Sequence, residues 1–168
     1  NIQQNIPNGY HQFNLLSGNN TQVLATSSLI VAPANCFHPE FLQHQQKCWG
    51  PSVQLYTLRS QRNWGVGDFT DLKMLLRGVA AWGADFVGLN PIHALYPANP
   101  ESCSPYSPSS RRWLNVIYID VEAIPDFVSN PALQKELAVS DIQEQLNQLR
   151  AVDWIDYQAV FSFKMGWL

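Results

Sequence analysis

The side chains best suited to bind a ligand lie in one segment, residues 93–115, HALYPANPESCSPYSPSSRRWLN. Its four prolines restrict the backbone. Its aromatic and polar side chains include Tyr96, Ser104, Tyr106, Arg111, Arg112, Trp113 and Asn115. Sugars stack their C–H faces on aromatic rings and hydrogen-bond through their hydroxyls. The composition of this aromatic segment therefore favours a sugar site, and a proline-rich loop with a purely structural role is the alternative.

The glycines at positions 65 and 67 do not predict a nucleotide-binding loop. The G-x-G-x-x-G pattern would need a third glycine where Thr70 stands. A local role fits better, because two glycines let the backbone turn from the end of a strand into a helix that begins after Asp68.

His93 and Cys103 are the residues that could form a Cys–His catalytic pair, but no third group to orient them is identifiable. The His, Asp and Glu residues of the chain also lack the spacing typical of metal ligands. The sequence therefore predicts neither a metal nor a cofactor.

A strand–helix–strand order precedes the aromatic segment. Residues 51–59 form a β-rich run, and an amphipathic helix follows with Asp68 as its N-cap and Asp71 in a capping-box-like position. Gly83 ends this helix, and residues 85–89 read as a buried strand. This βαβ unit would place the aromatic segment at the carboxyl end of a parallel strand, where α/β folds build their sites.

The spacing of the strands predicts part of a larger fold. Leu55 and Gly88, near the centres of the two predicted strands, are 33 residues apart. Eight such repeats need roughly 260 residues, the size of a (β/α)8 barrel. The chain has only 168 residues, so we interpret it as a fragment of a longer protein. Residues 116–121 are a further β-rich run, either a third barrel strand or a short pairing in a loop, and residues 142–167 follow a helical pattern.

The first residues predict a different domain. Two β-rich runs between residues 11 and 32 flank Gly18-Asn19-Asn20, which is a hairpin signal. One hairpin is only marginally stable by itself, so we interpret it as the end of a β domain. Residues 33–50 are rich in Pro, His and Gln, as in a linker. We therefore predict an accessory β domain with its linker over residues 1–44 and an α/β domain over residues 45–168.

Composition excludes several classes of function. The chain has 10 Lys and Arg against 13 Asp and Glu, so it has no basic patch for nucleic acid. No apolar run is long enough to cross a membrane. The cysteines at 36, 48 and 103 contain no C-x-x-C pair, which favours a reducing, cytoplasmic location. Charged residues are only 14% of the chain, below the usual figure of about 25%, so we expect part of the surface to be covered or to self-associate.

Two long blocks carry a family resemblance: residues 52–72, SVQLYTLRSQRNWGVGDFTDL, and residues 83–121, GADFVGLNPIHALYPANPESCSPYSPSSRRWLNVIYIDV. They closely resemble the bacterial 4-α-glucanotransferases known as amylomaltases or disproportionating enzymes. The resemblance is strong over residues 48–121 and loose beyond them. It implies a (β/α)8 barrel of which the chain holds the first two βα units and part of a helical excursion. It also implies transfer of α-1,4-glucan segments between maltooligosaccharides with retention of configuration.

The resemblance also assigns roles within the site. In the family, the serine and tyrosine of a Ser-Pro-Tyr motif line the donor subsite, which implies that role for Ser104 and Tyr106. Ser107 follows the motif where some members have glutamine. The family's nucleophile, acid/base and third carboxylate would lie beyond Leu168, so no catalytic residue is assigned here and the chain alone is expected to be inactive.

Two alternatives belong to other classes of function. The chain could be part of a non-catalytic glucan-binding module, which the lack of catalytic carboxylates permits; binding without turnover by the whole protein would favour it. It could also be a scaffold whose aromatic residues contact a protein partner. Glucans that leave the tryptophan fluorescence of the whole protein unchanged would favour that reading.

Overall fold

A computed structural model describes residues 5–19, 22–40 and 47–168 of the chain. The chain divides into two units, Asn1–Lys47 and Cys48–Leu168, and each is described by itself. The domain boundary expected between residues 44 and 45 falls in segment 41–46, outside the described residues.

The first unit contains the expected hairpin. Strands β1 (Gly9–Leu16) and β2 (Val23–Val31) are antiparallel, with Gly9 opposite Val31 and a register irregularity between Leu15 and Leu16. The prediction of two strands here is confirmed. The predicted turn residue Asn20 lies outside the described residues. Both strands leave most of their side chains exposed, so the hairpin buries little of its own apolar surface.

The second unit begins with the expected βαβ arrangement. Strand β3 (Ser52–Val53) is parallel to β4 (Gly88–Leu89), and helix α1 (Phe69–Ala81) connects them. Ser52 lies opposite Gly88 and Val53 opposite Leu89. The predicted strand–helix–strand order is therefore confirmed.

Both strands are shorter than the sequence predicts. The run 51–59 forms a strand only at residues 52–53, because a 3-10 turn, Leu55–Thr57, follows at once. The amide and hydroxyl of Thr57 donate to the Gln54 carbonyl at 3.0 and 2.8 Å and close this turn, in which Leu55 is buried. The predicted strand 85–89 likewise pairs only at residues 88–89.

Local signals at both ends of α1 have the predicted roles. An Asp68 side-chain oxygen accepts hydrogen bonds from the amides of Thr70 and Asp71 at 2.9 and 3.0 Å, and Asp71 accepts from the Asp68 amide at 3.1 Å. This is a complete capping box. Gly83 has a φ of +79°, the left-handed conformation that glycine adopts after a helix. The predicted start and end of the helix are confirmed.

After β4 the chain forms a second, antiparallel pair, β5 (His93–Ala94) and β6 (Ser110–Leu114). The prediction that residues 116–121 form a strand is wrong in both of its versions. They form 3-10 turns instead, Val116–Tyr118 and the start of Val121–Ala123. The reason is a local cap: Asn115 accepts from the Ile117 amide through its side chain, at 3.2 Å, and from the Tyr118 amide through its carbonyl, also at 3.2 Å.

Four α-helices complete the unit: α2 (Pro125–Val128), α3 (Pro131–Leu137), α4 (Ser140–Ala151) and α5 (Tyr157–Met165). The helical pattern predicted over residues 142–167 is interrupted at residues 152–156. Asp156 starts a new helix there, because its side chain accepts from the Ala159 amide at 2.9 Å. No helix in the described part of the chain is long and apolar enough to cross a membrane.

Two groups of buried apolar residues hold this unit together. The first consists of Leu55, Val66, Ile117, Tyr118 and Val160. The second consists of Trp64, Val121, Phe127, Leu137 and Leu146. Each group joins the loop after β3 to the segments that follow β6. Both groups therefore join the loop after β3 to the helical region.

The two glycines of the Gly65-Val66-Gly67 run have different local roles. Gly65 has a φ of +82°, so it supplies the turn that the sequence predicts. A Cβ at Gly67 would lie 2.0 Å from the Leu55 carbonyl oxygen, so glycine is needed there for close packing. Both glycines are thus explained by the fold.

Candidate functional site

The aromatic segment forms a loop whose two ends are joined by β5 and β6. Ser109 also holds these two ends together, because its amide and hydroxyl donate to the Ala94 carbonyl at 3.0 and 3.1 Å. The Asn115 amide donates to the Ile92 carbonyl at 3.0 Å. Further out, the Ser107 amide donates to the Ser104 carbonyl at 3.1 Å and closes a turn. The loop is therefore shaped by backbone hydrogen bonds together with its prolines.

Tyr106 occupies that turn and presents its ring to solvent. Its side chain is 67% exposed, which excludes a role in the core. The ring lies at an open cleft of about 250 Å³, and Ser104 is exposed in the same turn without lining it. The cleft is lined by Pro91, His93, Pro105, Tyr106, Pro108 and Arg111. A restrained, exposed ring that shares a cleft with an imidazole and a guanidinium is suited to stacking on a sugar and hydrogen-bonding its hydroxyls.

Other residues of the aromatic segment lie elsewhere. Tyr96 and Asn115 line a smaller cavity of about 30 Å³ on the side facing α5, together with Tyr157 and Phe161. Trp113, on β6, is exposed. The structure therefore divides the aromatic segment between an open cleft at Tyr106 and an apolar contact with α5.

His93 and Cys103 are not joined by a hydrogen bond in the described part of the chain. Cys103 lies near Tyr157 instead, and the pKa of the Tyr157 hydroxyl is raised, first by burial and then by the Cys103 charge. His93 contributes to the Tyr106 cleft, a role that its sequence position did not suggest. No group of three or more His, Cys, Asp or Glu residues in the described ranges could hold a metal ion.

A cluster of charged side chains joins the loop after β3 to the start of α1 and to the segment after β6. Arg62 contacts Asp68 directly, and its guanidinium nitrogens lie 3.0 Å from an Asp71 oxygen and 2.8 Å from an Asp120 oxygen. Burial alone would lower the pKa of Arg62, but the hydrogen bond and charge of Asp68, with the charge of Asp120, raise it above its usual value. Arg62 thus ties the start of α1 to the segment after β6.

One carboxylate of this charge cluster, Asp71, is unsuited to act as a general acid. Burial would raise the pKa of Asp71, but hydrogen bonds from Asn63 and Ser60, at 2.9 and 2.8 Å, outweigh it and hold the pKa below its usual value. A carboxylate held ionised cannot protonate a leaving group near neutral pH. The contacts of Arg62 with Asp68, Asp71 and Asp120 hold the start of α1 against the segment after β6.

Replacing Asp68 with alanine is therefore expected to lower the free energy of unfolding by more than the loss of a helix cap alone. Loss of the cap costs about 1 kcal/mol, whereas breaking a buried ion pair costs about 3–5 kcal/mol. Asp68 is 2% exposed, but Arg62 is 29% exposed and keeps Asp71 and Asp120 as partners, so we expect a loss between these two figures. Asp68→Asn is the control that keeps a cap but removes the charge. Chemical denaturation of both variants would measure the difference, and equal stability of Asp68→Ala and wild type would contradict this account.

Sequence reasoning missed the residues that fasten the loop after β3. Arg150 in α4 donates to the Asn63 and Arg62 carbonyls at 2.7 and 3.2 Å. The Trp64 indole donates to Glu122 at 2.9 Å. These partners lie more than fifty residues apart in the chain, so no local pattern connects them. The available signal was the concentration of charge around Arg62 in a chain that is poor in charged residues.

Comparison with known proteins places this site in a family. The family model described as 4-alpha-glucanotransferase, glycoside hydrolase family 77, matches residues 53–168. A 4-alpha-glucanotransferase from Haemophilus influenzae is 42% identical over 160 residues, which cover 95% of this chain and 22% of that protein. One from Mycobacterium tuberculosis is 39% identical over 90% of this chain and 22% of its own length.

A solved structure agrees with these relatives. The amylomaltase from Corynebacterium glutamicum superposes with a TM-score of 0.78 at 35% identity, over 98% of this chain and 23% of that one. The chain thus spans about a fifth of the length of the relatives it matches. The matched residues include the βαβ unit, the charge cluster and the Tyr106 loop, which is the loop between β5 and β6 that carries Tyr106. The chain belongs to the 4-alpha-glucanotransferase family.

Proposed function

We propose that the whole protein transfers α-1,4-linked glucan segments from one maltooligosaccharide to another, and that Ser104 and Tyr106 line its donor subsite. The observation that carries this proposal is the exposed ring of Tyr106, held in a restrained loop that follows a parallel strand. Such a ring offers a sugar a stacking surface at small ordering cost. Membership of the family supports the choice of an α-1,4-glucan as the substrate.

The proposed reaction is a two-step displacement. A carboxylate attacks the anomeric carbon, a carboxylic acid protonates the leaving oxygen, and a sugar hydroxyl then opens the covalent intermediate in place of water. We assign the carboxyl groups to residues beyond Leu168. The residues of this chain would bind and orient the donor sugar at the Tyr106 cleft and favour an acceptor sugar over a lone water molecule.

We also propose that β3 and β4 are the first two strands of a (β/α)8 barrel, and that residues 1–44 end an accessory β domain. The parallel pairing of β3 and β4 across α1 supports the first statement. Helix α1 and the residues after it leave Met74, Leu76 and Trp82 exposed, a surface that further βα units would cover.

A cytoplasmic location is part of the proposal. Cys36, Cys48 and Cys103 are all free. Free thiols persist in reducing compartments, whereas oxidising ones favour disulfides. Fractionation of the producing cells would test the location.

The test of the transferase activity uses the whole protein and maltotriose alone. Transfer produces glucose together with maltopentaose and longer glucans, which chromatography separates. Hydrolysis would instead yield glucose and maltose without longer products. Tight binding of maltooligosaccharides without any turnover would contradict the proposal and favour a binding module.

The isolated 168-residue chain is expected to self-associate or to bind a hydrophobic dye. It exposes apolar side chains along α1 and both strands of the hairpin, and exposed apolar patches and strand edges promote association. Light scattering and dye fluorescence would measure this, with the whole protein as the control. A monomer without dye affinity would contradict the prediction.

A further inference from the structure

Lys164, near the end of α5, is a lysine buried in the core. It is 2% exposed, and no carboxylate of the described residues lies within ion-pair distance of its ammonium group. Burial lowers the pKa of Lys164 to about 8, while the charges of Asp68 and Asp120 oppose this shift and that of Arg62 adds to it. Burying an ammonium without a direct counter-charge costs free energy. The hydrogen bonds that Lys164 makes must offset this cost, and they indicate its role in the structure.

Its contacts are two backbone carbonyls. The Nζ donates to the Ile117 oxygen at 2.7 Å and to the Ile119 oxygen at 2.8 Å. No backbone amide in the described part of the chain donates to either oxygen. A buried carbonyl without a donor is unfavourable, so Lys164 makes the conformation of this segment possible.

This segment directly follows β6, the strand that ends the loop carrying Tyr106. Ile117 follows β6 by three residues, and Asn115 between them is fixed to Ile92 and caps the 3-10 turn that contains Ile117. A displacement of Ile117 would therefore move β6. Because β6 pairs with β5, this displacement would also move the β5–β6 pair from which the loop carrying Tyr106 extends.

Helix α5 supports the loop along one face. Tyr157, Phe161 and Lys164 are spaced at i, i+4 and i+7, so they share a face of the helix. Tyr157 and Phe161 line the small cavity beneath Tyr96, and Lys164 holds the segment at Ile117. The aromatic residues provide packing, and the lysine provides the directional bonds that fix position.

We propose that Lys164 is a positioning residue for the donor subsite, which fixes the Tyr106 loop through the carbonyls of Ile117 and Ile119. This inference rests on the proposed function. Lys164 lines neither the Tyr106 cleft nor the small cavity, so its effect on the reaction passes through the loop.

A double-mutant cycle in the whole enzyme tests the coupling between the two residues. Lys164→Met keeps the length of the side chain but removes its donors, and we expect kcat/KM for maltotriose to fall about tenfold or more. With Tyr106→Ala already present, the same change should lower kcat/KM by only about threefold or less, because residues that act together are not additive. Lys164→Arg, which keeps charge and donors, should recover most of the activity.

The control for stability is Phe163→Leu, on the same helix but packed against Trp64 and Trp167. Its melting temperature should fall while transfer kinetics stay at the wild-type level. Additive effects of Lys164→Met and Tyr106→Ala, or wild-type kcat/KM in folded Lys164→Met, would overturn the proposal. So would failure of both Lys164→Met and Lys164→Arg to fold, because Lys164 would then serve the core alone. A wild-type enzyme that transfers no glucan would instead contradict the proposed function.

Discussion

Maltotriose incubated with the isolated 168-residue chain is expected to remain unchanged. The reaction requires an ionised nucleophile and a protonated acid on either side of the glycosidic bond. The three carboxylates of the charge cluster, Asp68, Asp71 and Asp120, are all held by Arg62, and hydrogen bonds lower the pKa of Asp71 rather than raising it. Chromatography of the sugars after long incubation at high protein concentration would measure the result.

The whole protein at equal molar concentration is the positive control. Glucose and longer glucans produced by the isolated chain, above the buffer level, would contradict the prediction. Asp71→Asn in the isolated chain then separates the causes. Activity that disappears with Asp71→Asn would mean that the charge cluster is catalytic, whereas activity that persists would indicate a contaminating enzyme.

Features with a local cause could be predicted from the sequence. Helix α1 begins at Asp68 and ends before Gly83 because capping depends on residues within one turn of the helix end. The hairpin and the βαβ order follow for the same reason, since turn residues and hydrophobic periodicity lie within short windows.

Features decided by competition between local bonds could not. The runs around Leu55 and Ile117 are rich in β-forming residues, yet both become 3-10 turns. In each, a polar side chain bonds to the backbone and closes the turn: Thr57 within the first run, and Asn115 just before the second. Propensity describes how well a residue fits a strand and carries no information about such a competing bond.

The candidate site shows the same division. Sequence located the aromatic segment, since prolines and aromatic residues are concentrated there, and the resemblance singled out Ser104 and Tyr106. It did not show that His93 and Arg111 share a cleft with Tyr106 or that Lys164 donates to the Ile117 carbonyl. Contacts between residues that are tens of positions apart depend on the complete fold.

Removal of the Tyr106 ring tests the donor-subsite assignment directly. In the whole enzyme, Tyr106→Ala should lower kcat/KM for maltotriose at least about tenfold, which corresponds to about 1.4 kcal/mol of lost transition-state stabilisation. The melting temperature should change little, because the ring is exposed and buries little apolar surface on folding. Tyr10→Ala, which removes an exposed tyrosine from β1, is the matched control and should leave the kinetics unchanged.

Tyr106→Phe then separates the ring from its hydroxyl. Stacking depends on the ring and survives in phenylalanine, so the KM should remain close to the wild-type value. A hydroxyl contact that strengthens in the transition state would be lost mainly from kcat. Steady-state kinetics of both variants distinguish the contributions. Wild-type kinetics in Tyr106→Ala would contradict the donor-subsite assignment, and an unfolded Tyr106→Ala would show that this exposed ring is needed for the fold, because the loop then depends on it for its shape.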